Sequence, residues 1–128
     1  MDVEELTGKI IGCAMEVHKT LGPGYLESVY ESALAIELDA CALETQRQAP
    51  IPVAYKGHPV GDFIADFLVA NCVLVELKAT RSLHERHEVQ LVNYLTATGV
   101  DNGLLINFGA DSLQFKRKRR VYTPAQNR

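Results

Sequence analysis

The chain predicts an α/β or α+β sandwich built around a central mixed sheet. Three observations predict it. Apolar residues recur every three or four positions in three separate stretches, as on helices, and alternate or run together elsewhere. The resulting order is helix, helix, three strands, helix, strand, strand. Finally, 128 residues, 47% hydrophobic and 23% charged, suffice for one domain over residues 1–128 with a real core.

Val3, Leu6, Ile10, Ala14, Val17 and Leu21 mark one face of a first helix, which Gly22-Pro23-Gly24 stops. A second helix carries Leu26, Val29, Tyr30, Ala33, Ile36 and Ala40 as its apolar stripe, clear as far as Cys41. Glu27 falls at the margin of that stripe, about 100° around from Leu26. Tyr30 lies beside it, one turn on. From Gln46 the period changes: Ile51, Val53 and Tyr55 alternate, and Lys56-Gly57-His58-Pro59 makes a turn. Val60 to Val69 and Cys72 to Leu77 read as two strands joined by a tight Ala70-Asn71 connection. Both are nearly continuous apolar runs, which suits strands buried on two faces. Glu85 to Thr98 is helical again, with Val89, Val92 and Leu95 as the core side and Gly99 as the stop. Leu104 to Phe108 is a short buried strand, and Leu113 and Phe115 alternate with Gln114 and Lys116 in a last one.

Composition excludes several classes. Lys plus Arg is 13 and Asp plus Glu is 16, a formal charge of −3, which argues against coating nucleic acid by bulk charge but leaves local basic patches open. The longest uncharged stretch through the middle, Phe67 to Val75, falls far short of the ~20 residues of a membrane span. The acidic N-terminus lacks the basic-then-apolar order of a signal peptide. Cys13, Cys41 and Cys72 are odd in number and widely spaced, with no C-x-x-C. A disulfide framework or zinc ribbon is not expected; each cysteine is expected as a small buried apolar residue in a reducing cytoplasm.

Three charges interrupt the apolar strands. Asp66 breaks the run Phe63, Ile64, Ala65, Phe67, Leu68, and Glu76 and Lys78 break the end of Val73, Leu74, Val75, Leu77. Buried charge is costly unless it is paired or holds a metal. Residues i and i+2 of a strand share a face, so Glu76 and Lys78 point the same way, and a hairpin lets Asp66 approach them. Two carboxylates beside one lysine make a hard-cation site for Mg²⁺ or Mn²⁺, with an ammonium to hold a water or a phosphate oxygen. The plainer alternative is a strand-end Asp66 with Glu76 and Lys78 as a solvated edge or salt bridge.

Asp66 followed by Glu76-Leu77-Lys78 at the end of an apolar strand resembles the signature of the PD-(D/E)XK nuclease superfamily. Gly24-Tyr25-Leu26-Glu27-Ser28-Val29-Tyr30 matches G-x-x-E-x-x-Y, the hallmark of the GxxExxY family within it. His87, Gln90, Tyr94 and Leu95 resemble that family's third-helix motif, and Gly103-Leu104-Leu105-Ile106-Asn107-Phe108 its following strand. The resemblance runs from the first helix to the basic last strand. It implies a restriction-endonuclease-like PD-(D/E)XK fold, a central mixed β-sheet flanked by helices.

The resemblance also implies roles. Asp66 and Glu76 would be the principal metal ligands, with the Leu77 backbone carbonyl adding one oxygen. Glu27 would be the helix-borne acid that completes the metal shell or orients water. Lys78 would position or activate water and stabilise charge on the phosphate, and Gln90 would hold the water or contact the phosphate. Tyr30 and Tyr94 would support this shell, and His87, on the Gln90/Tyr94 stripe, would face it from nearby. Each aromatic has the alternative of a core residue with a satisfied hydroxyl.

Lys116, Arg117, Lys118, Arg119 and Arg120 form the one basic cluster, which suits either contact with a nucleic-acid backbone or protection of an edge strand. No aromatic platform interleaves it. The expectation is a cytoplasmic, Mg²⁺- or Mn²⁺-dependent nuclease-like protein hydrolysing phosphodiester bonds in DNA or RNA. The alternative is a non-catalytic nuclease-fold module that binds nucleic acid or a protein partner. No membrane partner is expected, and a homodimer is the default assembly.

Overall fold

The structure, a computed structural model, describes residues 1–120; residues 121–128 of the single domain expected over 1–128 lie outside the described residues. Helix α1 spans Val3–Leu21. Asp2 caps it by accepting the Glu5 N–H at 2.8 Å, and Gly22, at φ 70°, ends it while donating to the His18 carbonyl. Its expected face is buried from Leu6 through Val17. Helix α2 spans Glu27–Ala40. Here the expected stripe needs correction: Leu26, Val29 and Ile36 are exposed, whereas Tyr30, Leu34 and Leu38 are buried. Apolar and small residues are spread around much of α2, so periodicity does not select a face. Packing does: the Tyr30 ring stacks on Phe108 at 4.7 Å.

Strands β1 (Thr45–Tyr55), β2 (His58–Val69) and β3 (Val73–Lys78) form an antiparallel meander. Helix α3 (Glu85–Thr98) then crosses over to β4 (Asn102–Asn107), which runs parallel to β3, and β5 (Gln114–Arg119) closes the sheet antiparallel to β4. The strand order is β1-β2-β3-β4-β5, a mixed five-stranded sheet. Helices α1 and α2 cover one face over Phe67, Val69, Val73, Val75, Leu77, Leu104 and Ile106. Helix α3 covers the other over Ala49, Ile51, Ala65, Leu74 and Leu105. This is the restriction-endonuclease-like architecture that the motifs imply.

Several local expectations are corrected. The β1–β2 turn is only Lys56-Gly57, at φ 48° and 82°, and His58 and Pro59 already belong to β2. The strand β3 is buried from Val73 to Leu77, but only the inner half of β2 is; Val60, Phe63 and Ile64 are exposed. That outer half pairs with β1 alone and extends past β3 as an arm, because the β2–β3 ladder covers only Phe67–Val69. On α3 the core side is Leu91, Tyr94 and Leu95, while Val89 is exposed and Val92 half-buried. The reason is Gly103, where a Cβ would lie 3.1 Å from both Leu91 and Leu95, so the missing side chain lets α3 settle with those leucines against β4. Cys13 is buried as expected, but Cys41 is exposed and Cys72 half-buried; the Cys13 and Cys41 sulfurs lie 3.5 Å apart as free thiols. No helix among the described residues is long and apolar enough to cross a membrane.

Candidate active site

The site forms where the β2–β3 ladder stops. The last backbone pair is Phe67 with Val75. One position further, the Asp66 N–H donates to Glu76 Oε1 at 2.9 Å and the Leu77 N–H donates to Asp66 Oδ2 at 2.7 Å. The two side chains thus take over amides that the splayed strands leave unpaired. The splay has a visible cause. Ala65 packs on the α3 side of the sheet while Phe67 packs on the α1/α2 side, so the usual alternation breaks at Asp66. Opposite Asp66 in β1, Gln48 sits at φ 54° between the pairs Arg47–Phe67 and Ala49–Ala65. Bent strands of this kind re-aim one side chain out of the pleat.

Burial sets the electrostatics. Glu76 is 8% exposed. Its carboxyl is pushed up to about 8, first by burial and then by the Asp66 charge; the Asp66 amide and the Lys78 ammonium pull it back. Burial likewise pushes Asp66 up to about 6, opposed by the Leu77 amide and reinforced by the charges of Glu31 and Glu27. Lys78 is the last residue of β3, half-buried, in register with Asn107 of β4.

The remaining candidate residues are placed as follows. Glu27 is the exposed first residue of α2, within electrostatic reach of both carboxylates. Tyr94, 9% exposed, faces the pair: burial pushes its hydroxyl pKa up, and the Glu76 and Asp66 charges add to that. His87 is half-buried at the start of α3, with its ring pKa lowered by burial and then by Lys78. Gln90 is exposed in a groove beside Tyr94 and makes no hydrogen bond to Asp66, Glu76 or Lys78 among the described residues. Tyr30 is not brought to the carboxylates. Its hydroxyl donates to the Gly22 carbonyl at 2.6 Å and accepts from the Tyr25 N–H, pinning the loop that leads to Glu27. The Leu77 side chain is anchored in the core.

Two contributors are not evident from the motifs. Glu31 lies one turn beyond Glu27, its side chain 14% exposed, clamped by Arg47 at 3.0 Å and by Gln48 at 2.9 Å. The signal is present in the chain, since acids at i and i+4 share a helix face. Asn107, fully buried, binds the Thr80 N–H and carbonyl and the Gly109 N–H, and so holds the segment that follows Lys78. Asn107 stands inside the Gly103–Phe108 motif, but the sequence does not show which segment it holds.

The basic cluster lies on the edge strand, away from the carboxylates. Lys116 is level with Leu105 and hence with Glu76, two strands over, and Arg119 is level with Asn102 at the other end of β4. Lys118 pairs with Glu88 at 3.0 Å, Arg117 donates to Thr7 at 3.0 Å, and Arg120 pairs with Asp101 at 2.7 Å. Lys116 and Arg119 form no ion pair among the described residues. Among the same residues no three His, Cys, Asp or Glu side chains converge closely enough to hold a metal ion; Asp66 and Glu76 each give one carboxylate oxygen to an amide and keep the other free.

Comparison with known proteins agrees with this geometry. The crystal structure of SSO0001 superposes with a TM-score of 0.59 at 19% sequence identity, covering 77% of this chain and 52% of the other. The chain therefore spans about half the length of that protein, and at such identity the likeness shows the fold alone. No curated protein sequence matches the chain. The family model of the PD-(D/E)XK nuclease superfamily matches residues 4–120. A match over nearly the whole chain, on a sheet that brings Asp66, Glu76 and Lys78 to one strand end, means that the chain belongs to the PD-(D/E)XK nuclease superfamily.

Proposed function

We propose that this chain is a nuclease of the GxxExxY family, a single domain over residues 1–128 that hydrolyses phosphodiester bonds in DNA or RNA with Mg²⁺ or Mn²⁺. One observation carries the reading: a buried carboxylate, Glu76, and a half-buried one, Asp66, are braced against each other's strands with Lys78 two residues beyond Glu76. The donor set fits a hard divalent cation. It is all oxygen, and burial holds both carboxyls above their ordinary values, with the Asp66 charge adding to the rise at Glu76 and the Glu31 and Glu27 charges to that at Asp66. Asp66, Glu76 and the Leu77 carbonyl would hold the ion, with Glu27 completing the shell or orienting water. When bound, such an ion supplies Lewis acidity and positive charge at the phosphate.

The chain's own groups do the rest. Lys78 Nζ donates hydrogen bonds to the attacking water and to a non-bridging phosphate oxygen, where it offsets developing charge. Glu31, locked by Arg47 and Gln48, adds a fixed negative charge near Asp66 and favours its protonated form until a cation binds. Gln90 and His87 approach the phosphate from α3, and Tyr94 walls the carboxylates from solvent. Three free thiols suit a reducing cytoplasm, and a two-fold dimer would lengthen the surface offered to a polynucleotide.

A second reading, a non-catalytic module that binds nucleic acid or a protein partner, has one observation in its favour: the hydrogen bonds that Asp66 and Glu76 accept from backbone N–H groups extend the β2–β3 pairing and so have a structural role. A cleavage panel separates the two. With ~5 mM Mg²⁺ or Mn²⁺, at least one of single- or double-stranded DNA or RNA is cut by the parent and by neither Glu76→Gln nor Lys78→Ala. A variant that cuts as fast as the parent removes the site assignment. Binding without cleavage by the parent establishes the module.

A further inference from the structure

Helix α3 and the β1–β2 arm enclose an open groove of about 500 Å³, whose Phe63 lies three residues before Asp66 on β2. The Phe63 ring lies in it, 45% exposed and 5.5 Å from the Tyr94 ring. Under Phe63 is Gly61, where a Cβ would come within 3.1 Å of the ring. The ring is therefore braced by strand backbone on one side and by Tyr94 beside it, and its remaining face opens to the groove. Arg86, Gln90 and Asn93 line the rim from α3. Arg86 has no ion-pair partner among the described residues, and the two amides make no side-chain hydrogen bond among them. Tyr94 packs in one cluster with Ala65, the residue before Asp66, so the groove adjoins the strand segment that carries the carboxylates.

We propose that this groove takes an unpaired nucleobase of a polynucleotide whose backbone crosses Asp66, Glu76 and Lys78. The inference rests on the nuclease reading and names its substrate class: a single strand, or a duplex with a base out of its stack. A braced, half-open aromatic face is what a base needs for stacking, and a base within a duplex has no free face to offer. The Gln90 and Asn93 amides each present a donor and an acceptor, which suits the edges of all four bases. Arg86 and Lys78 flank His87 and give the rim the positive charge that the adjoining phosphates require. An apolar peptide would match the Phe63 ring, and its backbone could meet the two amides, but it would bring no negative charge to Arg86 and Lys78.

The chain contains no tryptophan, so Phe63→Trp introduces a single tryptophan at the platform, excited selectively over the five tyrosines. The measurements are made in Glu76→Gln protein with Mg²⁺, where cleavage is blocked, on oligonucleotides of ~12 nucleotides. The expected result is quenching of Phe63→Trp by a single strand and none by the blunt duplex. A duplex with one bulged base distinguishes the two sources: quenching there shows that an extruded base is accepted, and its absence restricts the groove to single strands. Phe63→Leu, which keeps apolar bulk but removes the stacking face, weakens single-strand binding by about 5- to 150-fold and leaves its melting curve in place. Arg86→Gln, at an exposed position outside the packing, weakens it in the same direction. Parent-like binding by both variants, or duplex binding as tight as single-strand binding, overturns the proposal. If the parent cuts nucleic acid regardless of Phe63, the groove assignment falls and the nuclease reading stands. If binding depends on Phe63 but the parent cuts nothing, the groove stands and hydrolysis falls.

Discussion

Glu76 keeps its charge in this fold only against its surroundings. An acid whose folded pKa lies above its unfolded value binds more protons when folded, so its contribution to stability falls as pH rises between the two values. For Glu76 that window runs from 4.5 to about 8, and for Asp66 from 3.8 to about 6. Metal-free protein is therefore expected to lose stability from about pH 4 to pH 8, by roughly 2–5 kcal/mol at about 1.4 kcal/mol per pH unit for the deeply buried Glu76. Glu76→Gln flattens the profile because it removes the titrating carboxyl, while the amide oxygen still accepts the Asp66 N–H. Asp66→Asn leaves metal-free protein as stable or more stable, and removes the stabilisation that metal gives the parent, about 2.7 kcal/mol at a hundredfold excess over Kd. Melting curves against pH, with metal and with chelator, check all three. A parent that gains stability through this window would place both carboxylates in ordinary salt bridges.

The segment joining β3 to α3 depends on one side chain from a different element. Asn107 Oδ1 accepts the Thr80 and Gly109 N–H groups, and Nδ2 donates to the Thr80 carbonyl and Gln114 Oε1, which in turn accepts the Leu83 N–H. A Cβ on Gly109 would collide with the Thr80 backbone, so glycine is needed for the close approach. Asn107→Leu leaves these groups without partners at about 1–3 kcal/mol each. Its Tm should fall by about 10 °C or more. The Thr80 and Leu83 amides should lose protection from hydrogen exchange while the β2–β3 amides keep theirs. Because Lys78 immediately precedes the segment, cleavage should fall further than stability alone accounts for. Intact protection at Thr80 would show that Asn107 is not the clamp.

Across the whole molecule, the basic strand is two populations. Arg117 ties the sheet edge to α1 through Thr7, and Lys118 ties it to α3 through Glu88. Neutralising either should lower Tm without altering salt dependence greatly. Lys116 and Arg119 have no such tie among the described residues, so they are the cations available to a polyanion. Lys116→Gln with Arg119→Gln should flatten the log–log salt dependence of single-strand binding by about 0.7 for each phosphate that is no longer neutralised, leaving metal binding and Tm as they were. An unchanged slope would assign the whole cluster to edge protection.

The order of elements, a turn beginning at Lys56-Gly57 though not where it ends, the Ala70-Asn71 connection, and the helix stops at Gly22 and Gly99 were legible in the chain, because each depends on the backbone preferences of adjacent residues. The meeting of Asp66 with Glu76 was legible too, since a short hairpin leaves little freedom of register. What packs against what was not. Tertiary contacts turned α2 so that Tyr30, Leu34 and Leu38 face inward, and the bare surface of Gly103 drew Leu91 and Leu95 of α3 against β4. They gave Tyr30 a loop to hold, brought Glu31 beside Asp66, and set Phe63 against Tyr94 from distant parts of the chain. Local sequence governs backbone geometry within a few residues; which face is buried is decided by the shape of whatever lies across the gap, and that surface is built only when the chain folds.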